Sequence, residues 1–355
     1  MSRARASPAR RPRDPIAAAA TSVAAFVGAV PGGPLETPLF VTSLDEFGRV
    51  FGDVEGEAAE AVRLFFENGG TRAYVVGTAE DPRRALEALR AVDFQLLAVP
   101  ATGRSGDPRV ALAAALHARK RRAFYVADPP AERTAANVER WARAFGGGAN
   151  TALYFPRLLV RDSTGVREAT GSGAVLGLYA RVDRDRGVWQ QPAGAQLSVQ
   201  GVVGVASELT AAESSRLADA GVNAVRRSAT GRIYLAAGRT RAEREPEWKY
   251  VQVRRLALFI EESLQTGTAW AVFEPNDESL WEEIRRDAAD FLRGLFRAGA
   301  LRGATPREAF FVRCDRRTMT ADDIANGRLV CLVGFAPLRP SEFVVLRIEH
   351  ARACR

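Results

Sequence analysis

The hydrophobic pattern is clearest between Trp248 and Ile284. Leu256, Phe259, Ile260 and Leu264 recur there at three- and four-residue steps and predict a helix closed by Gly267. Thr268 to Phe273 is a short β-branched and aromatic run that predicts a strand. The Pro275-Asn276-Asp277 turn restarts a helix, with Asn276 or Asp277 as its cap. That second helix covers Glu278 to Ala298. At about 100° per residue, Trp281, Ile284, Ala288, Phe291, Leu292, Leu295 and Phe296 share one face, while Arg286, Arg293 and Arg297 lie nearly opposite. One face is built to pack; the other carries a stripe of arginines, which by spacing alone reads as a solvated surface.

Upstream, short apolar runs alternate with helical stretches. Thr21 to Ala29 and Leu39 to Thr42 read as strands, Ser43 caps a short helix, and Glu57 to Asn68 is a helix closed by Gly69-Gly70. Strands at Arg72–Val76, Phe94–Val99, Ala123–Val126 and Ala152–Phe155 then alternate with helices at Asp81–Ala91, Pro108–Arg121 and Glu132–Phe145. This rhythm predicts a parallel or mixed sheet with helices on both faces. Ala211 to Ala220 is a helix, and Val222–Arg226 and Arg232–Ala236 are strands. The charged run Arg241 to Glu247 reads as a surface connector and a domain boundary.

Past the opening stretch, Thr305-Pro306 starts a turn of helix, Phe310 to Asp315 is a strand, Thr320 with Asp323 makes a capping box, and Leu329 to Phe335 is a central strand. In the last run, Val344, Leu346 and Ile348 point one way and Phe343, Val345 and Arg347 the other. Periodicity fits either a last strand in the chain's own sheet or one added to another sheet. The predicted organisation is an N-terminal arm (1–20), an α/β domain (21–240), a smaller α+β domain (241–338) and a C-terminal arm (339–355).

Composition narrows the function. The 355 residues suit two domains, and 47% apolar with 26% charged is an ordinary globular balance. The formal charge is +8, but Arg3, Arg5, Arg10, Arg11 and Arg13 precede the first acid, so most of the excess sits in a tail. No nucleic-acid partner is therefore expected. Arg10-Arg11 before the apolar Ile16–Val30 superficially matches an export signal, but Pro12, Asp14 and Pro15 interrupt it. No run approaches the roughly 20 apolar residues of a membrane span. Cys314, Cys331 and Cys354 form no CxxC and have no metal-ligand spacing, which fits a reducing compartment.

Catalytic candidates are thin. A serine hydrolase needs a histidine base held by a carboxylate, yet neither His117 nor His350 has a suitable surround, and the GSG at Gly171–Gly173 has no histidine near it in sequence. The loop GAVPGG at Gly28–Gly33 follows a strand but lacks the lysine of a phosphate loop. No cofactor, metal or catalytic residue is expected; the rival reading is an α/β hydrolase or nucleotide-binding enzyme.

Wording supplies what chemistry does not. VRRLALFIEESLQTGTAWAVFEPNDESLW, followed by LRGATPREAFFVRCDRRTMTADDIANGRLVCLVGFAPLRPSEFVVLRI, closely resembles the C-terminal domain of contractile tail sheath proteins. FFENGGTRAYVVG, LLAVPATG, AFYVADPP and GLYARVDRDRGVWQQPAG carry the match through the rest of the chain. The resemblance implies a subtilisin-like sheath domain, a smaller α+β domain facing an inner tube, and extended terminal arms. It further implies a homo-oligomeric helical sheath that contracts to drive the tube through a membrane, with baseplate and terminal cap proteins as further partners and, in some systems, sheath paralogues. Assembly would be cytoplasmic, within a phage-tail-like particle released outside the cell. Arg286, Arg293 and Arg297 would touch the tube, and Phe343, Val344, Val345, Leu346, Arg347 and Ile348 would add a strand to a neighbouring subunit. The length suits a compact sheath of the bacteriocin or injection-system kind. One departure is the start: ARASPARRPRDPIAAAA has no β-branched or aromatic residue before Ile16, so these first residues are not expected to form a well-packed donor strand.

Overall fold

A computed structural model describes residues 14–79, 81–100, 107–131, 133–242, 245–338 and 343–351. The chain divides into a unit of Ala20–Ile260 with Pro337–Glu342, and a unit of Met1–Ala19, Glu261–Ala336 and Phe343–Arg355.

The larger unit begins with β1 (Ala24–Gly28), β2 (Leu39–Val41), α1 (Leu44–Phe51), α2 (Gly56–Glu67) and β3 (Ala73–Gly77). It continues through α3 (Pro82–Ala88), β4 (Leu96–Ala98), α4 (Pro108–Lys120), β5 (Phe124–Ala127), α5 (Val138–Phe145) and β6 (Thr151–Phe155). A hairpin, β7 (Leu158–Asp162) and β8 (Gly165–Ala169), precedes α6 (Ser172–Arg186) and β9 (Gly204–Val205). The series closes with α7 (Ala211–Asp219), β10 (Val222–Arg227), β11 (Ile233–Leu235) and the start of α8 (Val251–Gly267). Eight strands make one sheet in the order β11-β10-β6-β5-β4-β1-β3-β2. Only the edge strands β2 and β11 run antiparallel to their neighbours.

Local chemistry explains where the helices start. Asp81 and Asp107 accept the backbone N–H groups of Arg83 and Arg109, and each is followed by proline at the first helical position. Ser43 caps α1 as its sequence position predicts. Because β1 is buried on both sides, its residues feed two cores. Ala24 and Phe26 join α1, α2 and α6 on one face, while Ala25 and Val27 join α3, α4, α5 and α7 on the other.

Helix α6 is buried without a break from Ser172 to Ala180. Its glycines let it lie against α2: a Cβ at Gly173 would sit 1.9 Å from the Ala61 carbonyl oxygen, and one at Gly177 2.4 Å from that of Phe65. Any side chain at either site would force the helices apart. From the far end of α6, Asp183 meets Arg255 of α8 in a two-pronged ion pair of 2.9 and 2.6 Å. Both side chains are buried, the guanidinium lies over the Tyr179 ring, and it also donates to the Thr21 carbonyl.

In sequence the two units divide inside α8, at Ile260 and Glu261, downstream of the connector expected at Arg241–Glu247. Arg241 lies in the larger unit. It is 3% exposed, and its guanidinium donates to the carbonyls of Ala142, Gly146 and Ala220, at the C-terminal ends of α5 and α7. A cation is favoured there by the helix dipoles, so this part of the connector is pinned to the larger unit.

The smaller unit contains the end of α8, then α9 (Glu278–Arg297), α10 (Pro306–Ala309), β12 (Phe310–Arg313), α11 (Ala321–Ala325), β13 (Leu329–Phe335) and β14 (Val344–His350). Asp277 caps α9 by accepting from the Leu280 N–H at 3.0 Å, and Leu280, Trp281, Ile284, Ala288, Leu292 and Leu295 form its buried face. The three strands make an antiparallel sheet in the order β12-β13-β14. Thr320 and Asp323 form the expected capping box on α11.

One predicted strand is absent. Ala269–Phe273 is a 3-10 turn, because the Thr268 hydroxyl and N–H both bond back to the Leu264 carbonyl and tighten the chain instead of extending it. At the N-terminal end, residues 1–13 lie outside the described residues, while Ile16 packs where a Cβ on Gly267 would stand, 2.6 Å away, and the Ala19 N–H donates to Ser263.

Candidate interaction surfaces

The positions that resemble reaction chemistry take packing and hydrogen-bonding places in the structure. His117 on α4 stacks on Phe94 with its ring centroid 6.1 Å away, and burial lowers its pKa, so it is a neutral core residue. His350 on β14 places Nε2 2.7 Å from the Thr268 hydroxyl. That hydroxyl already donates to Leu264, so Nε2–H is the donor and the imidazole ties the sheet to the end of α8. Ser172 of the GSG segment is 1% exposed and begins α6. Gly33 of the glycine loop approaches the Phe51 ring so closely that a Cβ would be 2.8 Å from it, which makes the loop a packing element. Among the described residues, no group of three or more His, Cys, Asp or Glu could hold a metal ion. No helix among them is long and apolar enough to cross a membrane.

Among the described residues, Asp128, just past β5, is the one carboxyl whose pKa is raised. It is 2% exposed, and one oxygen accepts the N–H groups of Gly171 and Ser172, each at 2.9 Å, so it caps α6. Burial pushes its pKa to about 6, against the pull of its hydrogen bonds and Arg157.

The three arginines picked from the pattern all reach the exposed side of α9, but they share it with acids. Arg293 pairs with Asp290 on the preceding turn, and Arg286 Nε lies 3.7 Å from Asp287. Arg297 is exposed in the last turn, with no ion-pair partner among the described residues. The face therefore carries charges of both signs, with a cation at its C-terminal end. Arg285, which the pattern did not single out, donates to the Cys314 carbonyl and holds α9 on β12.

The final strand pairs with β13 of the same chain over seven residues, from Leu329 opposite His350 to Phe335 opposite Val344. Val344, Leu346 and Ile348 face the core; Val345 and Arg347 face outward. Phe343, 45% exposed, precedes the strand and stacks on Phe311. Within one chain the strand completes that chain's own sheet and forms one edge of it.

The chain thus joins, in sequence, an α/β unit whose sheet is covered by helices to a small antiparallel unit. Comparison with known proteins agrees. Residues 76–241 match the phage tail sheath protein central domain, and residues 243–351 the phage tail sheath C-terminal domain. The chain belongs to the phage tail sheath family. A prophage major tail sheath protein of Pseudomonas aeruginosa is 26% identical over 284 residues, covering 77% of this chain and 70% of that protein. Among solved structures, the anti-feeding prophage helical sheath in its contracted state is 28% identical with a TM-score of 0.77, covering 98% of this chain and 97% of that one. The sheath complex of the extracellular contractile injection system PVC, also contracted, has a TM-score of 0.78 at 24% identity, covering 97% and 98%.

The buried Asp128 carboxyl yields a pH test. Between about pH 4 and pH 6 the folded protein holds a proton that the unfolded chain has released, so this residue's contribution falls as pH rises through that window. Asp128→Asn, which keeps the accepting oxygen, is expected to match wild type near pH 4 and to be more stable at pH 7 by about 3 kcal/mol. Urea unfolding of both proteins at the two pH values measures it; an equal difference at both would show that Asp128 does not titrate there.

Proposed function

We propose that this chain is a structural subunit of a contractile sheath, polymerising helically around an inner tube and contracting to drive it through a target membrane. The observation that carries this reading is the near end-to-end likeness to a contracted sheath subunit, 98% of this chain against 97% of that one. Sheath function lives in repeated heterologous contacts, which generate a helix when they do not close. Catalysis plays no part in this reading. Baseplate and terminal cap proteins complete the set of partners, and the particle is assembled in the cytoplasm and then acts outside the cell.

In this reading the exposed side of α9 meets the tube, with Arg286, Arg293 and Arg297 as its cations. Exposed ion pairs are each worth about 0–1 kcal/mol, so the grip is weak per subunit, summed over many, and releasable on contraction. Asp287 and Asp290 already lie against two of the arginines, which leaves Arg297 the largest share. Reversing all three charges to Glu is expected to abolish sheath assembly around purified tube, and Arg297→Glu alone to weaken it most among the single changes. Normal assembly by the triple variant would sink the assignment.

The second contact is strand exchange. Phe343 to Ile348 would make between subunits the same β13 pairing that they make within one chain, leaving neighbours tethered while their globular parts move. Leu332 and Arg347 are opposite each other in that pairing, so cysteines at both positions report on it. When heavy- and light-isotope chains are mixed before assembly, the sheath is expected to yield mixed-isotope cross-links that the soluble chain lacks. Only same-isotope links in the assembled sheath would rule the exchange out.

A further inference from the structure

Two cysteines of the smaller unit face one another across its sheet. Strands β12 and β13 are antiparallel with Arg313 opposite Leu332, so the next step along each strand sets Cys314 opposite Cys331. Directly opposed residues on antiparallel strands have Cα atoms about 4.5–5.5 Å apart, within the roughly 4.4–6.8 Å that a disulfide spans. Both are free thiols, and both are buried. The Cys314 thiol lies within hydrogen-bonding reach of Cys331 and, with burial, raises the Cys331 pKa far above the ordinary thiol range. Such a pair is inert while the sheet is closed.

We propose that Cys314 and Cys331 form a dithiol oxidation site, which a small peroxide converts into a cross-strand disulfide stapling β12 to β13. Access comes from position. β12 is an edge strand, and Cys314 is the residue just past its end, so fraying of that end exposes the Cys314 sulfur while Cys331 stays in the central strand beside it. Arg285 sits beside them, donating to the Cys314 carbonyl, and its positive charge works against the larger effects that raise the Cys331 pKa.

The chemistry balances in two steps. One thiolate attacks a peroxide oxygen, the O–O bond breaks, and the sulfur becomes a sulfenic acid as the released hydroxide takes up the thiol proton to form water. The second thiol then attacks that sulfur, the S–O bond breaks, and a second water leaves. Two thiols lose two electrons, which reduce one peroxide to two waters. The inference rests on the sheath reading only for when the oxidant is met, on release from a reducing cytoplasm; the reaction itself belongs to the single chain.

The test uses the full-length chain carrying Cys354→Ser, which leaves this pair as the remaining thiols. It is treated with hydrogen peroxide, alkylated with N-ethylmaleimide in denaturant, digested and analysed by mass spectrometry. The expected result is a linked pair of peptides containing Cys314 and Cys331, with a reductant-reversible rise in Tm of roughly 5 °C. Recovery of both cysteines alkylated, or of one over-oxidised without a link, would overturn the proposal and leave the sheath reading untouched. Failure to form tubes would count against the sheath reading and leave a detected disulfide standing.

Discussion

Burying the Arg255–Asp183 pair is the constraint on which much of the larger unit depends. Two charges taken out of water cost several kcal/mol each, and only good geometry with further hydrogen bonds recovers that cost. Here the geometry is two-pronged, the cation lies over Tyr179, and a further N–H donates to the Thr21 carbonyl. Three segments far apart in sequence are thereby fixed together: the approach to β1, the end of α6 and the first half of α8. Loss of either partner would strand a buried charge, at a cost of roughly 3–5 kcal/mol. Arg241 does comparable work by gathering the carbonyl ends of α5 and α7.

Those two arginines also mark where sequence reasoning stops. The strand and helix alternation, the capping of α1 and α11 and the central place of β13 follow from periodicity and caps, and the structure has them. Helix α6 is buried over nine consecutive residues, so it offers no polar face for a periodicity argument to find. The β7–β8 hairpin carries Arg161, Asp162, Arg167 and Glu168 among its strand residues, and Thr268–Phe273 has strand composition but no strand partner. A buried arginine in a charged run looks like any surface arginine until its carbonyl partners are known. The run Arg241–Glu247 thus read as a surface connector, although Arg241 within it is buried.

The same limit applies to the surfaces. A helical wheel places Arg286, Arg293 and Arg297 on one side of α9, but only coordinates show Asp290 and Asp287 beside two of them. On such a face of mixed charge each exposed ion pair is worth about 0–1 kcal/mol. Alternation in the last strand likewise identifies its two faces, while its pairing partner is a matter of topology.

The central claim is that the chain builds a contractile tube, and electron microscopy of the purified protein, alone and co-expressed with its genomic neighbours, tests it most directly. The account predicts hollow helical tubes of variable length, alone or around a thinner tube. Discrete monomers, dimers or closed rings under both conditions would contradict it.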